Sequence, residues 1–155
     1  MSTQELFQGI ISGERRRDHA EVAGRVARIA GGLARLGVKQ GDSVCILMRN
    51  DIAFIEAAYA AMRLGAYAVP VNWHFKPEEV GYVLNDSGAR VLIGHADMLH
   101  RLHEVIPAGA TVLSAPTPSE MLSQYKIDQD HLVRYAELDR RSGVIESFET
   151  LAQQV

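Results

Sequence analysis

Long apolar runs, cysteines, lysines and basic clusters are all scarce in this 155-residue sequence, and each scarcity removes a class of protein. No apolar stretch approaches the roughly 20 residues needed to span a bilayer. The N-terminus lacks a charged segment followed by an apolar one, the mark of a secretory leader. The chain is therefore expected in the cytoplasm, without a membrane span. Cys45 is the only cysteine, so no internal disulfide can form. Inside the apolar run 44–48 it is expected to behave as a small buried hydrophobe. The lysines are Lys39, Lys76 and Lys126 alone, arginine supplying the other basic residues; that bias carries no functional weight. A formal net charge of −3 and a pI near 6.1 give no electrostatic reason to expect nucleic acid or an anionic membrane as partner. Arg15-Arg16-Arg17 is the one basic run. Beside Glu14 and Asp18 it reads as a solvated loop rather than a phosphate clamp.

The motifs of common chemistries are missing too. No GxGxxG and no GxxxxGK[ST] is present, which excludes a Rossmann turn and a P-loop. There is no GxSxG elbow, and no CxxC or HExxH zinc pattern. No internal repeat and no low-complexity segment interrupts the chain. Each of these motifs needs a fixed local spacing, so their absence is informative.

What is present is an ordinary globular composition, with 47% hydrophobic and 23% charged residues. A compact chain of this size buries roughly 70% of its unfolded surface, enough for a core. Asp18 can cap a helix, with Glu21 three residues on as in a capping box. Val22, Val26, Ile29, Leu33 and Leu36 then form one stripe at helical spacing. Arg25, Arg28 and Arg35 are expected away from that stripe, with Glu21 and Arg25 as an i,i+4 pair. Gly37 stops the helix, and Gly31-Gly32 inside it suggests close packing against a neighbour, because each glycine costs about 1 kcal/mol against alanine. Residues 44–48 read as a strand covered on both faces. Asn50 or Asp51 caps a second helix that ends at Gly65 and carries Ile52, Ile55, Tyr59 and Met62 on one face, with alanines allowing close approach to a sheet. Residues 67–71 form a second strand, at an edge or ending at Pro70. Pro77, Glu78 and Glu79 open a third helix. Residues 91–93 and 111–114 give two more strands, with a helix at 98–106 between them. The fold class is thus α/β, a parallel sheet of about four strands with right-handed crossover helices. Residues 1–115 form this unit. Residues 116–155 read as a loosely patterned helical tail with no strand and no clear core face, short helices being expected at 120–125, 131–138 and 147–153.

Parallel α/β sheets bind ligands outside the carboxyl ends of their strands. Those ends are Arg49-Asn50, Asn72-Trp73-His74, Gly94-His95 and Ser114. The second places an amide, an indole and an imidazole at one edge. A packing role for the sole tryptophan is preferred here to ligand contact. His95, His100 and His103 with Asp97 nearby allow a metal reading, but a polar helix face is preferred, because nothing supplies an orienting partner.

From about residue 18 to 97 the order of these pieces resembles the N-terminal region of AMP-forming acyl-CoA synthetases. Helix 21–36 followed by Gly37-Val38-Lys39-Gln40-Gly41-Asp42-Ser43-Val44 is similar to the family's LrklGvkpGDrV run. Arg49-Asn50-Asp51 matches its helix entry, and Met62-Arg63-Leu64-Gly65-Ala66-Tyr67-Ala68-Val69-Pro70-Val71-Asn72 its LkaGaayvPln segment. Pro77-Glu78-Glu79-Val80 and Leu84-Asn85-Asp86-Ser87-Gly88-Ala89 match its taeElayiledsgak run. Two departures stand out: Arg17-Asp18-His19 lacks the usual Thr-Tyr, and Gly81 replaces a better helix former. The resemblance implies a ligase that uses ATP and Mg²⁺ to convert a carboxylate, as in fatty acid metabolism, to an acyl-adenylate. It then passes the acyl group to coenzyme A. The family's phosphate loop, adenine-stacking aromatic, ribose-binding aspartate and catalytic lysine have no counterpart in these residues. No catalytic or metal-binding residue is therefore assigned, and none of those cofactors is expected on this segment. The remainder of a synthetase chain would be its partner. Asn72, Trp73 and His74 are the candidates for one wall of the acyl or pantetheine channel.

Two other classes stay open: a self-standing interaction or regulatory module derived from such an opening segment, and an unrelated flavodoxin-like or receiver-like binding domain. The acid activated and the oligomeric state are not encoded legibly. If later parts of a synthetase normally cover this segment, it should relieve exposed apolar surface as a homodimer or by folding its tail over the gap.

Overall fold

The computed structural model describes residues 6–127 and 145–153. Two short strands open it, β1 (Gly9–Ser12) and β2 (Arg15–Asp18), paired antiparallel around a turn at Gly13. The arginine run is therefore a strand, not the solvated loop expected from its charge. Arg15 and Arg17 reach inward to carboxylates: Arg15 to Asp51 and Glu120, Arg17 to Glu56, each at 2.7 Å. Alternation along the strand sends Arg16 the other way, over the ring of Phe7.

Helix α1 (His19–Arg35) starts where Asp18 accepts a bond from the Glu21 amide at 2.8 Å. Val22, Val26, Ile29 and Leu33 are buried along it. It ends in a Schellman motif: Gly37 has φ +94°, its amide donates to Ala34 O, and Val38 N donates to Leu33 O. The same pair of bonds, from Gly65 to Met62 and Ala66 to Ala61, closes α2 (Ile52–Arg63). Of the face expected to carry Ile52, Ile55, Tyr59 and Met62, Ile52 is buried while Tyr59 and Met62 are half exposed; the alanines make the close approach, as expected. The face turned inward is Ala53, Glu56, Ala57, Ala60 and Ala61, because short side chains permit the closest approach to sheet and α1.

Five strands form one sheet in the order β4-β3-β5-β6-β7, every pair parallel. They are β3 (Ser43–Leu47), β4 (Tyr67–Pro70), β5 (Ala89–His95), β6 (Thr111–Ala115) and β7 (Ile145–Ser147). Pro70 ends an edge strand, where its missing N–H costs no ladder bond. Helix α3 (Pro77–Asp86) joins β4 to β5. Parallel strands of one sheet joined in this way take right-handed crossovers. The helix expected at 98–106 is only α4 (Ala96–Leu99) followed by turns, in which Leu102 N bonds Leu99 O and Val105 N bonds Leu102 O. This three-residue period keeps Leu99 and Leu102 both fully buried. It also accounts for Gly81, where a Cβ would lie 2.9 Å from Val105 Cβ.

The tail differs most from its sequence reading. Helix α5 (Ser119–Gln124) forms as expected, and the helix proposed at 131–138 lies outside the described residues. Beyond it, β7 adds a fifth strand beside β6, and α6 (Phe148–Gln153) packs on α1. Phe148, Leu151 and Ala152 are buried there. The tail thus has both a strand and a core face. Its docking also explains Gly32, where a Cβ would sit 2.6 Å from Leu151 Cδ2. Glu149 pairs with Arg25 at 2.8 Å, and Arg25 grips Glu56 at 2.5 Å. Arg25 is therefore buried rather than paired on the surface with Glu21. The sheet is covered by α1, α2 and α6 on one face and by α3 and α4 on the other.

Candidate functional site at the strand ends

After β3 the chain adds β4 on one side of it and β5 on the other. At such a reversal the loops leaving the two central strands part, and a crevice opens beyond their carboxyl ends. Arg49 follows β3 there, and His95 and Asp97 end or follow β5. Arg49 donates from both Nη groups to Asp97, at 3.1 and 3.0 Å. This is the forked geometry that makes an arginine–carboxylate pair rigid. Thr117 Oγ1 donates to the same carboxylate at 2.7 Å and accepts from the Asp97 amide.

One residue away a second pair forms. The Arg49 amide can only donate, so His95 Nδ1 accepts its bond at 3.2 Å. The ring proton therefore sits on Nε2 and is donated to Asp51 at 3.0 Å. Asp51 also caps α2 through the Ile52 amide and receives Arg15, both at 2.7 Å. Burial alone would raise the Asp51 carboxyl, but bonds from His95 and Arg15 outweigh it and hold it below the usual carboxylate range. Both nitrogens of His95 are occupied and the ring is fully buried, so it is a brace rather than an exposed base.

Of the sequence candidates, Trp73 and His74 line a cavity of about 420 Å³ together with Arg49, Asp97, His100, Arg101 and Lys126. Their rings lie 3.6 Å apart. Asn72 is not among its lining residues; its side chain accepts from the His74 amide at 3.0 Å and holds the turn after β4. Trp73 and Tyr125 meet edge to face at 5.4 Å and share the Arg49 guanidinium, whose carbon lies 5.0 and 4.5 Å from the two rings. Sequence reasoning reached Arg49 and His95 only as strand ends and missed their partners; the strand-end rule was the usable signal. His95 binds Asp51 while His100 Nδ1 contacts the Asp97 carbonyl. Among the described residues no three His, Cys, Asp or Glu side chains gather to hold a metal. No helix among them is long and apolar enough to cross a membrane.

Comparison with known proteins gives this geometry a family. Feruloyl-CoA synthase from an Amycolatopsis species is 44% identical over 75 residues, 48% of this chain and 15% of that protein. Long-chain-fatty-acid–CoA ligase FadD13 of Mycobacterium tuberculosis is 40% identical over 78 residues, 50% of this chain and 16% of that one. The fold matches a benzoate CoA ligase from Burkholderia xenovorans LB400 with a TM-score of 0.66 and 23% identity, over 69% of this chain and 22% of that one. The chain thus spans about 15–16% of the length of these two curated relatives. The model of the AMP-binding enzyme family matches residues 6–148, nearly the whole sequence, and the chain belongs to that family.

Proposed function

We propose that this chain is the N-terminal scaffold of an ATP-dependent acyl-CoA synthetase. The observation that carries the reading is the family match over residues 6–148, joined to relatives that are CoA ligases and are several times longer. In this reading the complete enzyme activates a carboxylate with ATP and Mg²⁺, releases pyrophosphate and transfers the acyl group to coenzyme A in the cytoplasm. The family's phosphate loop has no counterpart in this sequence, so in this reading the segment leaves ATP and Mg²⁺ to the rest of the enzyme. Its part is positional. The Arg49–Asp97 and Asp51–His95 pairs brace the strand ends, and Trp73 and His74, with Asn72 holding their turn, form a wall of the acyl or pantetheine channel. The partner is the remainder of a synthetase chain, or a second copy of this one where that remainder is missing.

The test is ATP–pyrophosphate exchange with a panel of aryl and fatty acids. The chain alone should give only the buffer rate. Adding in trans a feruloyl-CoA synthase that lacks its matching segment should restore exchange. Exchange by the chain alone would refute the scaffold role, and failure of a stable mixture to exchange would count against the channel wall.

A further inference from the structure

We infer that α5 is a strap latched across the strand-end crevice by the Arg15–Glu120 ion pair, and that release of the latch joins two cavities into one. The cavity of about 420 Å³ has Arg49 and Trp73 in its wall, together with Lys126 and Ile127 from the end of the strap. A second, of about 350 Å³, shares Arg49 and Trp73 and is lined on the strap side by Glu120, Met121, Gln124 and Tyr125. The Tyr125 ring lies against the two residues that the cavities share, edge-on to Trp73 and 4.5 Å from the Arg49 guanidinium carbon. The strap is thus the partition between the two spaces.

The strap is held lightly, and what it covers is held firmly. Before it, Thr117 is tied to Asp97, while Pro118 starts the helix with no side-chain cap. After it, Lys126 N bonds Ser123 O and Ile127 N bonds Leu122 O, the same pair of bonds that closes α1 and α2. There the left-handed residue is a glycine. Here it is Lys126, at φ +52°, a conformation that strains a residue with a Cβ. Within α5 only Met121 is buried. The other links are Tyr125, 38% exposed, and Glu120. Arg15 is anchored from behind by the buried Asp51 at 2.7 Å, which leaves its Nε to hold Glu120 at 2.7 Å. The side chains of this latch are 36% and 39% exposed, so water and salt compete for it. When it breaks, Arg15 stays on Asp51. Trp73 stays on its turn, which Asn72 holds through the His74 amide, and Arg49 stays forked onto Asp97. Only the strap moves, and it uncovers the wall that the two cavities share. The motion needs no adenylating activity.

Trp73 is the only tryptophan, so quenching of its emission by acrylamide, a neutral probe, reads the strap directly. Tyr125→Ala removes the cover and sets the open reference. Glu120→Gln should raise quenching of Trp73 toward that reference, through a rise of about 1.5- to 5-fold in the ratio of open to closed strap, the range an exposed ion pair contributes. In the Tyr125→Ala background the same substitution should add nothing. Raising NaCl from about 0.05 to about 1 M, where the screening length falls to about 3 Å, should open the unaltered chain and leave Glu120→Gln unchanged. The salt series needs no variant of the latch to fold. Quenching of the unaltered chain that already equals the Tyr125→Ala value, or that responds to neither salt nor Glu120→Gln, overturns the latch. An equal effect of Glu120→Gln with and without Tyr125 reduces Glu120 to a local neighbour of the indole and overturns it too.

Discussion

The adjacent glycines of α1 offer a sharp test of how the tail docks. Gly31 and Gly32 occupy neighbouring interior positions of one helix, so replacing either by alanine gains the same intrinsic helix propensity, about 1 kcal/mol. Their surroundings differ. A Cβ on Gly31 meets only the tip of the Arg35 side chain, at 3.5 Å, an ordinary contact. A Cβ on Gly32 falls 2.6 Å from Leu151 Cδ2 and 3.0 Å from Leu151 Cβ. Leu151 is 2% exposed and cannot simply turn outward. Salt bridge Arg25–Glu149 and the bond from Arg28 to Ala152 O, at 2.5 Å, flank it and hold α6 in place. Overpacking of this kind costs about 1–3 kcal/mol. Gly31→Ala should therefore stabilise by about 1 kcal/mol, and Gly32→Ala should fall short of it by about 1–3 kcal/mol. Urea unfolding of both variants measures the difference. In thermal melts each kcal/mol corresponds to about 2–4 °C for a chain of this size. Equal stabilisation by the two substitutions would falsify the placement of α6 on α1.

Gly65→Val should destabilise by about 1–3 kcal/mol, because φ +72° is strained for a branched residue and the added group meets Gln40 Cγ near 3.0 Å; an unchanged melting temperature would show that α2 does not end there. Cys45 should label slowly without denaturant. Burial pushes its thiol up, a bond with Ser87 only partly opposing this, and fast stoichiometric modification would contradict a fully covered β3. The Asp51 carboxyl titrates below its unfolded value of about 3.9. Its stabilisation is therefore complete above about pH 4 and lost as pH falls through the folded value. The stability gap between the chain and Asp51→Asn should narrow in acid; a gap constant from pH 6 to pH 2 would remove Asp51 from the His95–Arg15 network.

The elements that were legible in the sequence are those whose signals are local. The Schellman glycines Gly37 and Gly65, the Asp18 and Asp51 caps and the apolar run of β3 each declare themselves within a few residues. Elements that depend on distant partners were not. Arginines 15 to 17 have the composition of a solvated run, and only Asp51 at the cap of α2, Glu56 in α2 and Glu120 in α5 draw Arg15 and Arg17 inward, while Arg16 points away. Arg25 sits off the apolar stripe by periodicity, yet it is buried because Glu56 and Glu149 meet it from two other helices. β7 is three residues long, too short to alternate visibly, and it exists because β6 presents an open edge.

The site divides in the same way. Strand-end reasoning named four candidate ends; only the strand order of the fold shows that the loops part beyond β3 and β5. It singled out Asn72, Trp73 and His74, whose polar and aromatic character is plain in the sequence. Arg49 was named only as a strand end and as part of the Arg49-Asn50-Asp51 helix entry. In the fold Arg49 is the residue on which the crevice is organised. Its amide fixes the tautomer of His95, its side chain is forked onto Asp97, and its guanidinium carbon lies 5.0 and 4.5 Å from the Trp73 and Tyr125 rings. Apart from His95 and Asp97, which are close in sequence, these contacts come from separate stretches, Arg49 after β3, Trp73 after β4 and Tyr125 at the end of α5, so no short window of sequence brings them together. Removing this one guanidinium would leave the buried Asp97 without its ion pair and two rings without the charge between them. Such a loss would act at once on the segments after β4 and β5 and on the end of α5 rather than at a single contact.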